Sequence, residues 1–137
     1  MRIFIDVNIL VAVLNKEYPL FDTAARVLSL DSKKDVTLFT SPICLAIAFY
    51  FAEKKSGSEM AKKKIKMVSE RIEIAGSSKK SVLQALNDPK VLDLEDGFEY
   101  YAALKAKCDT IITEDIADFH FSEIEVVRSR DFLAKLK

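Results

Sequence analysis

Short apolar runs alternate along the chain with longer segments in which apolar residues recur at helical spacing. The apolar runs are rich in β-branched residues and predict buried strands at residues 2–5, 36–40, 72–75, 110–112 and 125–127. The segments between them predict helices at residues 8–14, 20–30, 43–55, 58–71, 78–88, 94–107 and 130–136. This alternation is typical of an α/β protein with a parallel sheet covered by helices on both faces.

The third predicted helix has clear start signals and an unusually apolar surface. Ser41 is a favourable N-cap residue, and Pro42 suits the first helical position. No charged residue occurs from 41 to 52, so the helix is apolar nearly all round and we expect it to be buried. If its aromatic run at 49–51 is instead exposed, that run offers a surface for a dimer or a partner protein.

The composition fits one globular domain, residues 1–137. Hydrophobic residues make up 50% of the chain and charged residues 31%, a balance that supports a packed core and excludes intrinsic disorder. No apolar run approaches the roughly 20 residues of a membrane span, and Asp6 comes too early for a signal peptide. We therefore expect a cytoplasmic protein in which Cys44 and Cys108 are free, buried thiols.

The charge is unevenly distributed along the chain. Twenty-one basic residues offset twenty-one acidic ones, and this total argues against a strongly basic nucleic-acid coat protein. Residues 53–71, however, hold seven bases and three acids, a net charge of +4. Residues 88–118 hold three bases and nine acids, a net charge of −6. Such an asymmetry between segments can indicate a functional site.

Several acids fall where strands end or helices begin. Asp6 ends the first predicted strand, and Asp115 lies just past the fourth. Ligands of open α/β sheets bind beyond these strand ends, so the two carboxylates converge if their strands are neighbours. Asp93 and Asp96 are three residues apart and share one face at the start of the helix that precedes the fourth strand. Clustered carboxylates suit Mg²⁺ or Mn²⁺, although each acid alone can also serve as a helix cap or a solvated loop residue.

Three segments resemble the motifs of the PIN-domain family. Residues 3–10, Ile-Phe-Ile-Asp-Val-Asn-Ile-Leu, are similar to its opening strand with the Asp-x-Asn motif. Residues 93–103 are similar to its central acidic helix, and residues 111–119, ending in Asp-Phe, to its fourth-strand motif. The order and spacing agree over nearly the whole chain.

The resemblance implies a fold, a function and a set of partners. The implied fold is a three-layer α/β/α sandwich with a five-stranded parallel sheet of order 3-2-1-4-5. The implied function is a ribonuclease that depends on Mg²⁺ or Mn²⁺. Many small prokaryotic members are the toxins of toxin–antitoxin pairs, so the implied partners are an RNA substrate, an antitoxin and a second copy of the chain.

The resemblance also assigns roles to particular residues. The expected catalytic metal ligands are Asp6, Asp96 and Asp115, with Asp93 and Asp118 as further ligands. The residues expected to orient them by hydrogen bonds or to lie beside them are Asn8, Thr113 and Glu95. The residues of the basic segment expected to guide RNA are Lys54, Lys55, Lys62 and Lys63.

The chain departs from the family pattern at three positions. Val7 lacks the hydroxyl that often follows the first Asp, and Glu114 replaces a frequent Arg. Ile47 occupies the place, six residues after Ser41, where a catalytic Glu is usual. Two functions therefore stay open, a ribonuclease and a PIN-like module that binds a protein or RNA without cleaving it. A flavodoxin-like nucleotide-binding domain is disfavoured because no Gly-rich loop follows the first strand.

Overall fold

The computed structural model of the chain describes residues 1–136. Within them the strands are β1 (Arg2–Ile5), β2 (Thr37–Thr40), β3 (Glu73–Ile74), β4 (Thr110–Ile112) and β5 (Glu125–Val127). The α-helices are α1 (Val7–Leu14), α2 (Leu20–Leu28), α3 (Pro42–Ser56), α4 (Ser58–Arg71), α5 (Lys79–Asn87), α6 (Leu94–Lys105) and α7 (Ser129–Lys135). Single 3-10 turns form at Ser29–Ser32 and Ile116–Phe119. Each predicted strand and helix is present, with ends that differ by a few residues.

The strands form one parallel sheet in the order β3-β2-β1-β4-β5, which confirms the predicted topology. The central strand β1 pairs with β2 on one side and with β4 on the other. Ile3, Phe4 and Ile5 are completely buried. Since successive side chains of a strand point to opposite faces, helices must cover both faces of the sheet. The α/β sandwich is therefore confirmed from the burial of its central strand.

The sheet order brings the carboxyl ends of β1 and β4 together. The strands are in register through Ile5 and Ile112, and the backbone N–H of Asp6 donates to the carbonyl of Ile112 at 3.1 Å. The chain then leaves β1 into α1 and leaves β4 into the turn that holds Asp115. Residues just past both strands consequently lie side by side at one edge of the sheet.

Helix α3 starts as predicted but is not buried all round. The hydroxyl oxygen of Ser41 accepts from the backbone N–H of Cys44 at 3.3 Å, and Pro42 opens the helix. The residues that pack inward form one stripe, Cys44, Ala48 and Ala52, at four-residue spacing. Tyr50 and Phe51 are 50% and 44% exposed. The expected burial of the whole helix was wrong, because an apolar composition does not determine which face packs on the sheet.

Other sequence expectations concern the cysteines and membrane spans. Cys44 and Cys108 are both free and buried, as predicted. Among residues 1–136, no helix combines the length and the apolar character that a membrane crossing requires. The core itself is formed by the strands together with inward residues such as Leu10, Val27 and Tyr100.

Candidate metal centre

Asp6 is held rigidly at the end of β1. Its Oδ1 accepts from the backbone N–H of Val7 at 2.7 Å, which caps α1. Its Oδ2 accepts from the hydroxyl of Thr113, just past β4, at 2.7 Å. The side chain is 6% exposed. The carboxylate is therefore fixed by both strands, and a carboxylate with two such bonds still has lone pairs available.

Asn8 and Thr113 tie the turn after β4 to the end of β1. The amide nitrogen of Asn8 lies 3.0 Å from Thr113 Oγ1 and 3.1 Å from Asp115 Oδ2. Its Oδ1 accepts from the backbone N–H of Glu114 at 3.2 Å. The hydroxyl oxygen of Thr113 also accepts from the backbone N–H of Asp115 at 3.0 Å. These bonds place Asp115 next to the carboxylate of Asp6.

The first turn of α6 brings further acids to the same edge. Asp93 caps the helix by accepting from the backbone N–H of Glu95 at 3.0 Å. Burial, reinforced by the charges of Asp93 and Asp118, raises the pKa of Asp96 to about 7. The pKa values of Glu95 and Asp118 are also raised, mainly by burial and then by neighbouring carboxylates. These shifts report a crowded group of negative charges.

Glu99 joins this group, and the sequence reasoning assigned it no role. It lies one turn after Asp96 on α6 and is completely buried. Its Oε1 accepts from the thiol of Cys44 on α3 at 3.1 Å. Burial, reinforced by the neighbouring carboxylate of Asp6, raises the pKa of Glu99 far above its ordinary value. Its spacing of three residues from Asp96 was a signal that could have placed it on the same helix face.

We call this group the acidic centre; its members are Asp6, Asp93, Glu95, Asp96, Glu99, Asp115 and Asp118. Two subsets have ligand atoms within 4.8 Å of one another: Asp6, Cys44 and Glu99, and also Glu95, Asp96 and Glu99. Repulsion among carboxylates at such distances is relieved by a cation, and oxygen ligands suit a hard ion such as Mg²⁺ or Mn²⁺. The residues present therefore fit a divalent metal ion.

Cys44 contacts the acidic centre through Glu99, and its sulfur is a soft ligand that does not suit a hard cation. Burial, together with the negative charge of Asp6, raises the pKa of Cys44 to about 11. The thiol therefore stays protonated at neutral pH, where it donates to Glu99. A protonated thiol is a poor metal ligand and a poor nucleophile. The carboxylate oxygens of the acidic centre, rather than the sulfur of Cys44, are the atoms suited to a hard cation.

The four lysines expected to guide RNA lie on the helical hairpin of α3 and α4; they are Lys54, Lys55, Lys62 and Lys63. The amino group of Lys55 donates to the carbonyl of Asn15, at the end of α1 opposite Asp6. Lys55 is eleven positions after Cys44 on α3, which is about 16 Å at 1.5 Å per residue. The structure does not bring these lysines into contact with the acidic centre, and their role stays a prediction.

A known family shares this order of strands and acidic segments. The sequence profile of the PIN domain matches residues 2–117. The chain belongs to the PIN-domain family. The match confirms the resemblance drawn from the three motifs, and it includes the segments that carry Asp6, Asp96 and Asp115. No protein with a curated description matches the chain.

Solved structures with the same fold include two VapBC structures and one structure of a VapC toxin. The VapBC2 structure of Rickettsia felis, bound to a DNA fragment from its promoter, has 21% identity and a TM-score of 0.70, covering 93% of this chain and 98% of that one. VapC20 of Mycobacterium tuberculosis, a sarcin–ricin loop cleaving toxin, has 18% identity and a TM-score of 0.67, covering 89% and 98%. VapBC-1 of nontypeable Haemophilus influenzae has 19% identity and a TM-score of 0.68, covering 95% and 99%. At these identities the likeness establishes the fold.

Two of the departures from the PIN pattern have a visible structural setting. Glu114 accepts from the backbone N–H and the hydroxyl of Ser129, at 3.0 and 2.9 Å, and so satisfies the start of α7. An acid near a helix N-terminus is electrostatically favourable. Ile47 lies one turn after Cys44 on α3 and is partly exposed, with no oxygen to offer a metal. The acidic centre therefore takes its carboxylates from residues that follow β1 and β4 and from the N-terminal half of α6, and position 47 adds none.

Proposed function

We propose that this PIN domain is a metal-dependent endoribonuclease that hydrolyses RNA phosphodiester bonds and acts as the toxin of a toxin–antitoxin pair. The observation that carries the proposal is the acidic centre at the edge where β1 and β4 meet, with Asp6 and Asp115 linked through Asn8. This edge is where open α/β sheets bind ligands. The raised pKa of Asp96, to about 7, supports the same function, because carboxylates crowded in this way are suited to a cation.

In this proposal, each site residue that the sequence predicted has a role. The metal ligands are Asp6, Asp96 and Asp115, with Asp93 and Asp118 at the rim. Mg²⁺ or Mn²⁺ bound there would supply charge stabilisation for the phosphodiester and an activated water for its hydrolysis. Asn8 and Thr113 keep Asp6 and Asp115 in place, and Glu95 adds negative charge beside Asp96.

The partners proposed are an RNA substrate, an antitoxin protein and a second copy of the chain, all in the cytoplasm. Two of the structural neighbours are VapBC assemblies, which supports a protein partner. VapC20, which cleaves the sarcin–ricin loop, supports an RNA substrate. The exposed rings of Tyr50 and Phe51, whose centroids lie 5.3 Å apart, offer an apolar surface for either protein contact.

Cleavage of RNA by a variant of the acidic centre tests the proposal. Asp96→Asn replaces the carboxylate with an amide of the same size, while Glu70→Gln removes one acid from the exposed end of α4. We expect Asp96→Asn to abolish Mn²⁺-dependent cleavage and Glu70→Gln to leave it unchanged. Cleavage by Asp96→Asn at the wild-type rate would refute the assignment.

The second candidate function is a PIN-like module that binds RNA or a protein without cleavage. Ile47 favours it, because this position offers no carboxylate to the centre. A protein with a metal site and one without it differ in their response to Mn²⁺, because an ion that binds only the folded state raises the melting temperature. No rise in melting temperature at millimolar Mn²⁺ would favour the module.

A further inference from the structure

Glu99 is an acid in a place where acids are rarely found. It is completely buried, and it lies on α6 next to the buried Tyr100. The ion pairs within residues 1–136 are Arg71–Asp31 and Lys135–Glu125, and neither involves Glu99. A buried carboxylate without an internal cation is unfavourable, so the group is either protonated or balanced by a bound cation.

The two carboxylate oxygens of Glu99 have different surroundings. Oε1 accepts from the thiol of Cys44 at 3.1 Å, so one oxygen is satisfied. Oε2 is buried and has no hydrogen-bond partner within residues 1–136. Buried polar atoms in folded proteins nearly always have a partner, and one without it indicates a missing ion or water.

The position of Glu99 relative to the other acids favours a cation as that partner. Its carboxylate lies within 4.8 Å of ligand atoms of Asp6, and it also lies within 4.8 Å of those of Glu95 and Asp96. Glu99 is thus close both to Asp6, which follows β1, and to the acids at the start of α6. Its carboxylate lies between these two parts of the proposed metal site.

The contact with Cys44 relates Glu99 to the missing acid of α3. Cys44 and Ile47 are one turn apart and share a face of that helix. The side chain of Glu99 reaches this face from α6, as its 3.1 Å contact with Cys44 demonstrates. The carboxylate of Glu99 on α6 therefore lies against α3, the helix on which position 47 is the apolar Ile47.

We propose that Glu99 is a direct metal ligand of the acidic centre and supplies from α6 the carboxylate that α3 lacks at Ile47. This inference rests on the proposed metal-dependent function. Carboxylates bind a metal in their ionised form, so the cation takes the place of a proton. Mg²⁺ or Mn²⁺ is the ion class that an all-carboxylate site selects.

The test measures Mn²⁺ affinity by electron paramagnetic resonance, with wild type, Glu99→Gln and the control Glu70→Gln. Glutamine keeps the size of Glu99 and one oxygen that can accept from Cys44, but it has an NH2 group in place of the second oxygen and carries no negative charge. We expect circular dichroism to report a folded Glu99→Gln whose Mn²⁺ affinity is at least about tenfold weaker. The control should bind as wild type does. Equal affinity of Glu99→Gln and wild type would overturn the role of Glu99 while leaving the proposed function intact. An absence of Mn²⁺ binding to wild type would overturn both.

A second measurement needs no variant and covers the case in which Glu99→Gln fails to fold. Crystals of the wild-type chain soaked in Mn²⁺ locate the ion by its anomalous scattering. We expect the ion within about 2.6 Å of a Glu99 oxygen, the range of carboxylate coordination to divalent cations. An ion bound by Asp6 and Asp96 with Glu99 beyond that range and still against Cys44 would overturn the proposal.

Discussion

Replacing Asp96 by asparagine is expected to stabilise the metal-free protein at pH 8 while removing its response to Mn²⁺. The pKa of Asp96 is about 7 in the folded chain, against 3.8 for an ordinary aspartate, because burial and neighbouring carboxylates disfavour its charge. A raised pKa means that the folded state binds the proton more tightly than the unfolded state does. The stability that this proton contributes is full below pH 3.8 and is lost as the pH rises through 7. Asparagine cannot ionise, so the variant does not lose this stability as the pH rises.

The size of the effect follows from the two pKa values. At 1.36 kcal/mol for each pKa unit, the difference between 3.8 and about 7 corresponds to about 4 kcal/mol. Asp96 is partly exposed, and solvent screening reduces this figure by about half, to about 2 kcal/mol. For a domain of this length, about 2 kcal/mol corresponds to an increase of about 6 °C in the melting temperature.

The assay is thermal unfolding followed by circular dichroism from pH 4.5 to 8.5 in the presence of EDTA. The melting temperature of Asp96→Asn should exceed that of wild type by a margin that grows up to pH 7 and is constant above it. Glu70→Gln, which also removes one acid, should show no such growing margin. A variant no more stable than wild type at pH 8, or a margin independent of pH, would refute the electrostatic reasoning.

Three further predictions follow from individual contacts. Cys44 and Cys108, whose pKa values burial raises to about 11 and 12, should not react with a thiol reagent at pH 8 until the chain is unfolded; rapid labelling of the native protein would contradict their burial. Asn8→Ala removes the amide that holds Asp115, and Mn²⁺ affinity measured by titration should fall about tenfold; unchanged affinity would show that Asn8 does not position the ligand. Glu114→Ala removes the acceptor at the start of α7 and should cost about 1 kcal/mol in a denaturant titration, with Mn²⁺ binding intact; a loss of binding would place Glu114 in the metal site instead.

The fold was largely accessible from the sequence because its signals are local. The short β-branched apolar run before Asp6 indicates a buried strand, and similar runs recur between the helical segments. The strand order came from the family resemblance, and it is what makes Asp6 and Asp115 neighbours. The placement of these two acids beyond parallel strands was therefore predictable, whereas their roles in metal binding remain proposals.

The parts that the sequence did not predict depend on which face of a helix packs where. The three-residue spacing of Glu99 from Asp96 also occurs among exposed acids, so it did not predict that Glu99 is buried. Its burial arises from the packing of α6 against α3. The exposure of Tyr50 has the same origin, since only the Cys44 stripe of α3 faces the core. The basic segment was recognised from charge, but its distance from Cys44 is a consequence of the length of α3.

Dependence of RNA cleavage on a divalent cation is the most direct test of the proposed function. The purified wild-type chain is incubated with labelled RNA in Mn²⁺, then with excess EDTA, and finally with Mn²⁺ restored. We predict cleavage in the first condition, none in the second and recovery in the third, because the carboxylates of the acidic centre act through a bound cation. Cleavage that continues unchanged in EDTA, or no cleavage in any condition, would contradict the account.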